Sequence, residues 1–252
     1  MKRVLPIALA VAMVGSASAD PFKPSQRQQI ELGLKAAAEI RKEEKVLPAS
    51  DPRVQTLRRV ARRLLNTVDG RNEPWEYSFD VIDSKELNAF ALPGGPVFFY
   101  TGLMDKMKTE DELAGVLSHE LTHVRKEHWA YAYRDSQKRN LLLNLGLIFA
   151  RADRNTANLA SLGSSVLFDL PFSRSHETQA DTMGFDMMVK SGYNPEGMAD
   201  VFELLRSESK GGKPPEFLSS HPDDKNRINR IRELAKKNSG NYPTMRPLSW
   251  AN

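Results

Sequence analysis

The segment from Thr109 to Val124 constrains the fold most, because it specifies one long helix with two histidines on the same side. Thr109, followed three residues later by Glu112, is the capping-box pattern that begins a helix. His119 and His123 are one turn apart and only about 40° apart around the helix axis. The apolar side, roughly opposite the histidines, consists of Leu113, Leu117, Leu121 and Val124. We therefore expect another part of the chain to cover the histidine side.

The pattern His119-Glu120-Leu121-Thr122-His123 suggests a metal site in which the two imidazoles hold one ion. Glu120 lies about 100° around the helix from His119, too far for an ideal third ligand but well placed to flank a metal-bound water as a general base. The chain contains no cysteine, which excludes thiolate ligands, disulfide scaffolds and a cysteine nucleophile. The alternative, a pair of solvent-facing or hydrogen-bonded histidines, requires the pattern to arise by chance. We predict one Zn²⁺ per chain.

A catalytic zinc needs three protein ligands and one open position for water. The histidine-rich extension of the motif would have a glycine and a third histidine where this sequence has Lys126 and Trp129, so that version is excluded. His128 would lie about 140° from His123 around a continuous helix, toward its apolar side, and we interpret it as packed or partly exposed. The remaining candidates for the third ligand are His176, Glu177, Asp181 and His221.

Glu177 and Asp181 lie four residues apart, and so on one face of a predicted helix. One carboxylate can bind the metal while the other orients a ligand histidine through its second ring nitrogen. We assign Glu177 as the third ligand and Asp181 as the orienting residue. The alternative is an exposed acidic helix face. His176 is interpreted as structural.

Residues 1–19 predict a cleavable signal peptide. Lys2 and Arg3 give it a basic start, residues 4–14 are apolar, and Ala17-Ser18-Ala19 matches a small-residue cleavage site. This apolar stretch is too short to span a bilayer, which takes about 20 residues. No cysteine follows the cleavage site, which excludes a lipoprotein. We expect export to a periplasm or a similar space, and a single domain over residues 20–252.

The rest of the chain predicts helices around one small sheet. A polar helix lies between Ser25 and Pro48, and a second begins at the Asp51-Pro52 cap. Alternation over residues 75–81 and an apolar run over residues 97–100 predict strands. The fold class is therefore α+β, mainly α, with a small antiparallel sheet packed on the metal-binding helices. Four arginines of the second helix are interpreted as a solvated face, so no nucleic acid is expected: Arg58, Arg59, Arg62 and Arg63.

Several short motifs occur in a fixed order along the chain. They are Asn88–Gly95, Gly102–Met104, His119–His123, Ser173-Arg174 with Glu177 and Ala180-Asp181, and His221-Pro222 with Arg227-Ile228. Together they resemble the motifs of the gluzincin zinc metallopeptidase family that includes the CAAX prenyl endopeptidases and HtpX. The layout is most similar to the small soluble periplasmic members, because no spanning helices are predicted.

The resemblance implies a zincin-like fold and a zinc-dependent metalloendopeptidase. It places zinc on His119, His123 and Glu177, and it makes Glu120 the catalytic base. A zinc-activated water would then hydrolyse peptide bonds of unfolded or misfolded envelope proteins. The alternative is a proteolytically inert metal-binding chaperone of the same fold, which would have no use for a base beside the metal.

The substrate is expected to be an extended or unfolded polypeptide that pairs with an exposed strand edge, because main-chain hydrogen bonds capture such segments with little regard to sequence. We assign this edge to Val97, Phe98, Phe99 and Tyr100. Peripheral contact with the envelope membrane is a further expectation, since residues 141–150 and 159–171 are unusually apolar. That segment could form a lid, a membrane-contacting surface or part of the core.

His221 allows two opposite roles. Its imidazole could donate to the oxyanion of the tetrahedral intermediate, or it could occupy the open zinc position and keep the enzyme latent. A surface histidine is the alternative to both. Arg227 could face the same site or lie on a helix surface.

Overall fold

The computed structural model describes residues 20–68, 73–149, 172–209, 214–221, 226–238 and 241–250, without the side chains of residues 141–149. The predicted signal peptide, residues 1–19, lies outside the described residues. So does most of the apolar segment assigned to a lid, a membrane surface or core. None of the described helices combines the length and the apolar character needed to cross a bilayer.

Helices make up most of the described chain. They are α1 (Gln26–Glu43), α2 (Pro52–Leu65), α3 (Thr101–Lys106), α4 (Glu110–Arg125), α5 (His128–Phe149), α6 (Arg174–Lys190), α7 (Glu196–Glu208), α8 (Phe217–Ser220) and α9 (Arg227–Lys237). The predicted caps are confirmed, because Asp51 accepts a hydrogen bond from Arg53 N–H and Thr109 forms a reciprocal capping box with Glu112.

The sheet has three strands, β1 (Ser78–Ile82), β2 (Ala89–Ala91) and β3 (Pro96–Tyr100), in the order β1-β3-β2. β2 pairs antiparallel with β3, whereas β1 pairs parallel with β3. The sheet is therefore mixed, and the fully antiparallel prediction is wrong. After β1 the chain crosses to the far edge before forming β2. The turn that follows brings β3 back between the two strands, in the direction of β1.

β3 is the central strand, so the prediction that residues 97–100 form an exposed edge is wrong. Val97, Phe98 and Phe99 have no exposed surface, and Tyr100 is half-buried. A short continuous apolar run is typical of a strand with neighbours on both sides. The outer side of β1 is partly covered, because Leu47 N–H donates to Val81 O at 2.8 Å. β2 is the strand whose outer edge faces α4.

Helix α4 is buried from Glu110 to Val124, including the side that carries the histidines. It packs against α2, α6 and α7 and against β2. Arg59 and Arg62 are exposed, as expected for the solvated face of α2, but two arginines of that face also make contacts with neighbouring elements. Arg59 pairs with Glu110 at 2.7 Å, and Arg63 donates to Ser191 O at 2.5 Å. These contacts attach α2 to α4 and to the end of α6.

Helix α1 lies against the turn between β2 and β3, and its contact point is a glycine. A β-carbon at Gly33 would lie only 1.8 Å from Pro93 O. In the same turn Gly94 has a φ of 83°, a region that residues with side chains rarely adopt. The tight turn and the close helix together determine where the end of β2 lies relative to α4.

Candidate metal centre

Four side chains from separate parts of the chain meet in the interior. His119 and His123 come from α4, Glu177 from α6 and His221 from the residue after α8, and all four are buried. His119 Nε2 lies 3.0 Å from His123 Nε2 and 3.2 Å from His221 Nδ1. Glu177 Oε1 lies 3.1 Å from His221 Nδ1 and 3.4 Å from His123 Nε2. The predicted ligands are thus brought together, and His221 joins them.

These separations suit a metal ion. Around an ion about 2.0–2.1 Å from each of four tetrahedral ligand atoms, those atoms lie about 3.3–3.4 Å apart. The neighbouring ligand atoms of the cluster are 3.0 to 3.4 Å apart, and the four residues offer ligand atoms that all lie within 4.8 Å of one another. Imidazole nitrogens and a carboxylate oxygen are ligands that zinc and other transition metals accept. The cluster is therefore compatible with one metal ion.

Glu120 lies beside this cluster, and its two carboxylate oxygens differ in their hydrogen bonding. Its Oε2 accepts a hydrogen bond from Ala91 N–H in β2 at 2.9 Å. Its Oε1 is buried and makes no hydrogen bond within the described part of the chain, although His221 Nε2 lies 3.3 Å away. A carboxylate held in this way has a free acceptor next to the candidate metal position.

The charge state of the two carboxylates differs. Burial raises the pKa of Glu120, because the ionised form has no water around it. Burial acts in the same direction on Glu177, but the adjacent His221 and His119 outweigh it and hold the pKa of that carboxyl well below its usual value. The lowered pKa favours the ionised form of Glu177, which suits a cation, whereas Glu120 can exchange a proton more readily.

Asp181 contacts the outer nitrogen of His119, as predicted for an orienting residue. Its Oδ1 lies 3.1 Å from His119 Nδ1. Burial and Arg227 lower the pKa of His119, but Glu177 and Asp181 outweigh them and raise it to about 9. Metal binding at His119 must therefore displace a proton. Burial lowers the pKa of His123 well below its usual value, so that ring is neutral.

Arg227 is buried in the site, a position that the sequence left open. Its Nη2 donates to Asp181 Oδ1 at 2.7 Å, and its Nη1 lies 3.0 Å from Glu177 Oε2. Its guanidinium also lies over the ring of Phe202, 3.8 Å from the ring centre. The sequence signal that could have indicated a buried Arg227 is the pair of carboxylates on α6, because two buried anions require a positive charge nearby.

His128 is the site residue that sequence reasoning missed. The interpretation as a packed or partly exposed residue assumed one continuous helix, but α4 ends at Arg125 and Glu127 has a φ of 54°. A turn separates the two helices, and His128 begins α5 with its Nδ1 3.0 Å from His123 Nδ1. Burial lowers the pKa of His128 to about 4. His176 stacks on His128, with ring centres 4.4 Å apart.

The family profile described as Peptidase family M48 matches residues 51–235. The beta-barrel assembly-enhancing protease of Escherichia coli K12 is 29% identical over 203 residues, which are 75% of this chain and 41% of that protein. The mitochondrial metalloendopeptidase OMA1 of Schizosaccharomyces pombe is 31% identical over 75% of this chain and 55% of that protein. Metalloprotease LoiP of Escherichia coli K12 is 28% identical over 87% of this chain and 85% of that protein.

This chain spans less than half the length of the first of these relatives. The three relatives are named as proteases or endopeptidases. The described structure is mainly helical with a small sheet, so the predicted fold class and the family resemblance are both confirmed. On the profile match over most of its length, the chain belongs to peptidase family M48.

Proposed function

We propose that this chain is a zinc metalloendopeptidase in which His119, His123 and Glu177 hold the metal and Glu120 is the general base. The observation that carries the proposal is the buried four-residue cluster with the free oxygen of Glu120 beside it. A zinc ion bound there would polarise the scissile carbonyl and lower the pKa of water. Membership of a peptidase family and the names of the relatives support the same reaction.

Glu120 moves the proton in this proposal. Its Oε1 accepts a proton from the attacking water and then delivers it to the leaving amine. The raised pKa favours this two-way exchange, because a carboxyl with an ordinary pKa releases a proton too readily to return it near neutral pH. The hydrogen bond from Ala91 N–H to Oε2 keeps Oε1 directed at the cluster.

The substrate binds along β2 rather than β3. Asn88 O accepts from Tyr100 N–H, and Leu92 N–H donates to Pro96 O, so alternate residues of this segment pair with β3. The backbone groups of Ala89 and Ala91 therefore point away from β3, toward the edge that α4 flanks, where Ala91 N–H already donates to Glu120 Oε2. Because Ala89 has no exposed surface, an extended peptide adds to this edge only once the residues that cover it move, and it then passes next to Glu120. Edge pairing requires an unfolded segment and reads little of its sequence, which suits unfolded or misfolded proteins.

His221 keeps the resting enzyme latent. Of its two roles, the contacts favour the ligand over the oxyanion donor, because Nδ1 lies 3.2 Å from His119 Nε2 and 3.1 Å from Glu177 Oε1. His221 thus takes the fourth position that catalysis needs for water. Replacement of His221 by alanine is expected to raise the rate of peptide cleavage. A fall would favour the oxyanion role, and an unchanged rate would contradict both.

Four proteins test the peptidase proposal: the parent, Glu120→Gln, His221→Ala and the double variant. Each is measured for bound zinc by elemental analysis and for cleavage of an unfolded casein. We expect zinc in all four, and cleavage only where Glu120 is present. Equal cleavage with and without Glu120 would refute the assigned base. Zinc bound by all four proteins with cleavage by none, the parent and His221→Ala included, would favour the inert metal-binding chaperone.

The envelope location rests on the predicted signal peptide and on the name of one relative, the beta-barrel assembly-enhancing protease. Expression of the full chain in a bacterium, followed by fractionation, tests it. We expect the protein in the periplasmic fraction with Asp20 as its first residue, because cleavage is predicted after Ala19. An uncleaved chain in the cytoplasmic fraction would contradict this proposal and leave the peptidase chemistry unaffected.

A further inference from the structure

The two histidines of α4 have chemically different partners on their outer nitrogens. His119 Nδ1 lies 3.1 Å from the carboxylate of Asp181, an arrangement common around metal ligands. His123 Nδ1 instead lies 3.0 Å from Nδ1 of another histidine, His128. Both of those rings are buried, at 3% and 1% exposure, so water does not replace the contact. Another contact of one of these rings must therefore determine which of the two nitrogens carries the proton.

Gln179 decides it. Two ring nitrogens can form a hydrogen bond only when one donates a proton and the other accepts it. His128 Nε2 lies 2.8 Å from Gln179 Oε1, the amide oxygen, which can only accept; with the amide in this orientation, His128 carries its proton on Nε2. The Nδ1 of His128 is then a lone-pair acceptor, and it receives the Nδ1–H of His123. The Nε2 of His123 keeps its own lone pair, directed at His119 and Glu177.

We propose that His128, oriented by Gln179, is a positioning residue that holds His123 in the one tautomer able to bind a metal ion. The opposite arrangement would place a proton on His123 Nε2, where it would block ligation. His128 acts only through His123. This inference rests on the proposed metal site.

The local backbone supports the placement of His128. Glu127 adopts a φ of 54°, which is uncommon for a residue with a side chain and persists only where the surroundings enforce it. Its carboxylate accepts from Gln29 Nε2 at 2.7 Å and pairs with Lys23 Nζ at 2.9 Å. These contacts anchor the turn that brings His128 back onto α4. The ring of His176, stacked on His128, limits its rotation.

The test measures the Zn²⁺ affinity of metal-free protein by competition with a chelator. His128→Phe keeps a ring and removes the acceptor, so we expect Zn²⁺ binding to weaken roughly 10- to 100-fold, as for other outer partners of metal ligands. His128→Gln supplies a carbonyl that can accept the same proton, and should restore binding to within several-fold of the parent. His176→Phe keeps the stacking ring and is the matched control, with unchanged affinity.

Gln179→Leu provides a second route that does not risk the fold, because Gln179 is exposed. It should weaken Zn²⁺ binding by several-fold, less than His128→Phe, since water can partly replace the amide. Parent-like affinity in both His128→Phe and Gln179→Leu would overturn the inference. So would equal losses in His128→Phe and His128→Gln, which would make the ring a packing element only. A parent that binds no Zn²⁺ would instead refute the proposed metal site itself.

Discussion

Replacement of Arg227 by methionine should destabilise the metal-free protein far more than loss of an ordinary ion pair. Arg227 is 1% exposed and pairs with both Asp181 and Glu177, through contacts of 2.7 and 3.0 Å. Removing one partner of a buried pair costs about 3–5 kcal/mol, and we expect the lower end because Asp181 keeps His119 at 3.1 Å and Arg230 at 3.5 Å. The lost contact with the face of Phe202 adds to this cost. For a chain of this size, the expected fall in melting temperature is roughly 6–20 °C.

Urea denaturation in the presence of a chelator measures this cost directly. The matched control is Arg232→Met, because Arg232 pairs with Asp200 and Glu203 at a side-chain exposure of 32%, where ion pairs contribute about 0–1 kcal/mol. A double-mutant cycle with Asp181→Asn isolates the coupling between Arg227 and Asp181. With saturating metal the loss should shrink, because the cation compensates Glu177. Equal losses in Arg227→Met and Arg232→Met would refute the reasoning.

Three further predictions concern stability. Gly33→Ala should cost about 1–3 kcal/mol or more in thermal unfolding, because the new β-carbon would lie 1.8 Å from Pro93 O, a backbone atom that cannot move independently; an unchanged melting temperature would contradict that packing. Asp111→Ala should cost about 2–4 kcal/mol in urea denaturation, since Asp111 accepts the backbone N–H groups of Asn194 and Arg246 at 2.7 and 2.8 Å. A cost below about 1 kcal/mol would show that water satisfies both donors. Metal at about 100 times its dissociation constant should stabilise the fold by about 2.7 kcal/mol, equally in the parent and in Glu120→Gln, because Glu120 is not a proposed ligand. Loss of this stabilisation in Glu120→Gln would make Glu120 a ligand.

The sequence predicted those parts of the structure that depend on interactions between residues close together in the chain. Helix α4 begins at the capping box of Thr109 and Glu112, and helical periodicity places His119 and His123 on one side. Asp51 and the following proline begin α2 in the same way. In each case the determining groups lie within about one helical turn of each other, so the spacing of residues carries the information.

Features that depend on distant parts of the chain were predicted poorly. The apolar run at residues 97–100 indicated a strand, but only the pairing with both β1 and β2 makes that strand central. Helical geometry placed His128 away from the site because neither glycine nor proline marks the break after Arg125. The sequence fits Arg227 equally well to a helix surface, because only the packing of α9 places its guanidinium against Asp181.

The burial of the cluster has a kinetic consequence. Its four members, His119, His123, Glu177 and His221, are each exposed by 3% or less. An ion among them can leave only when that part of the protein opens, so the opening rate limits its departure. With an excess of chelator, the rate of metal loss should therefore become independent of chelator concentration. Metal exchange would then report the internal motions of α4, α6 and the residues around His221.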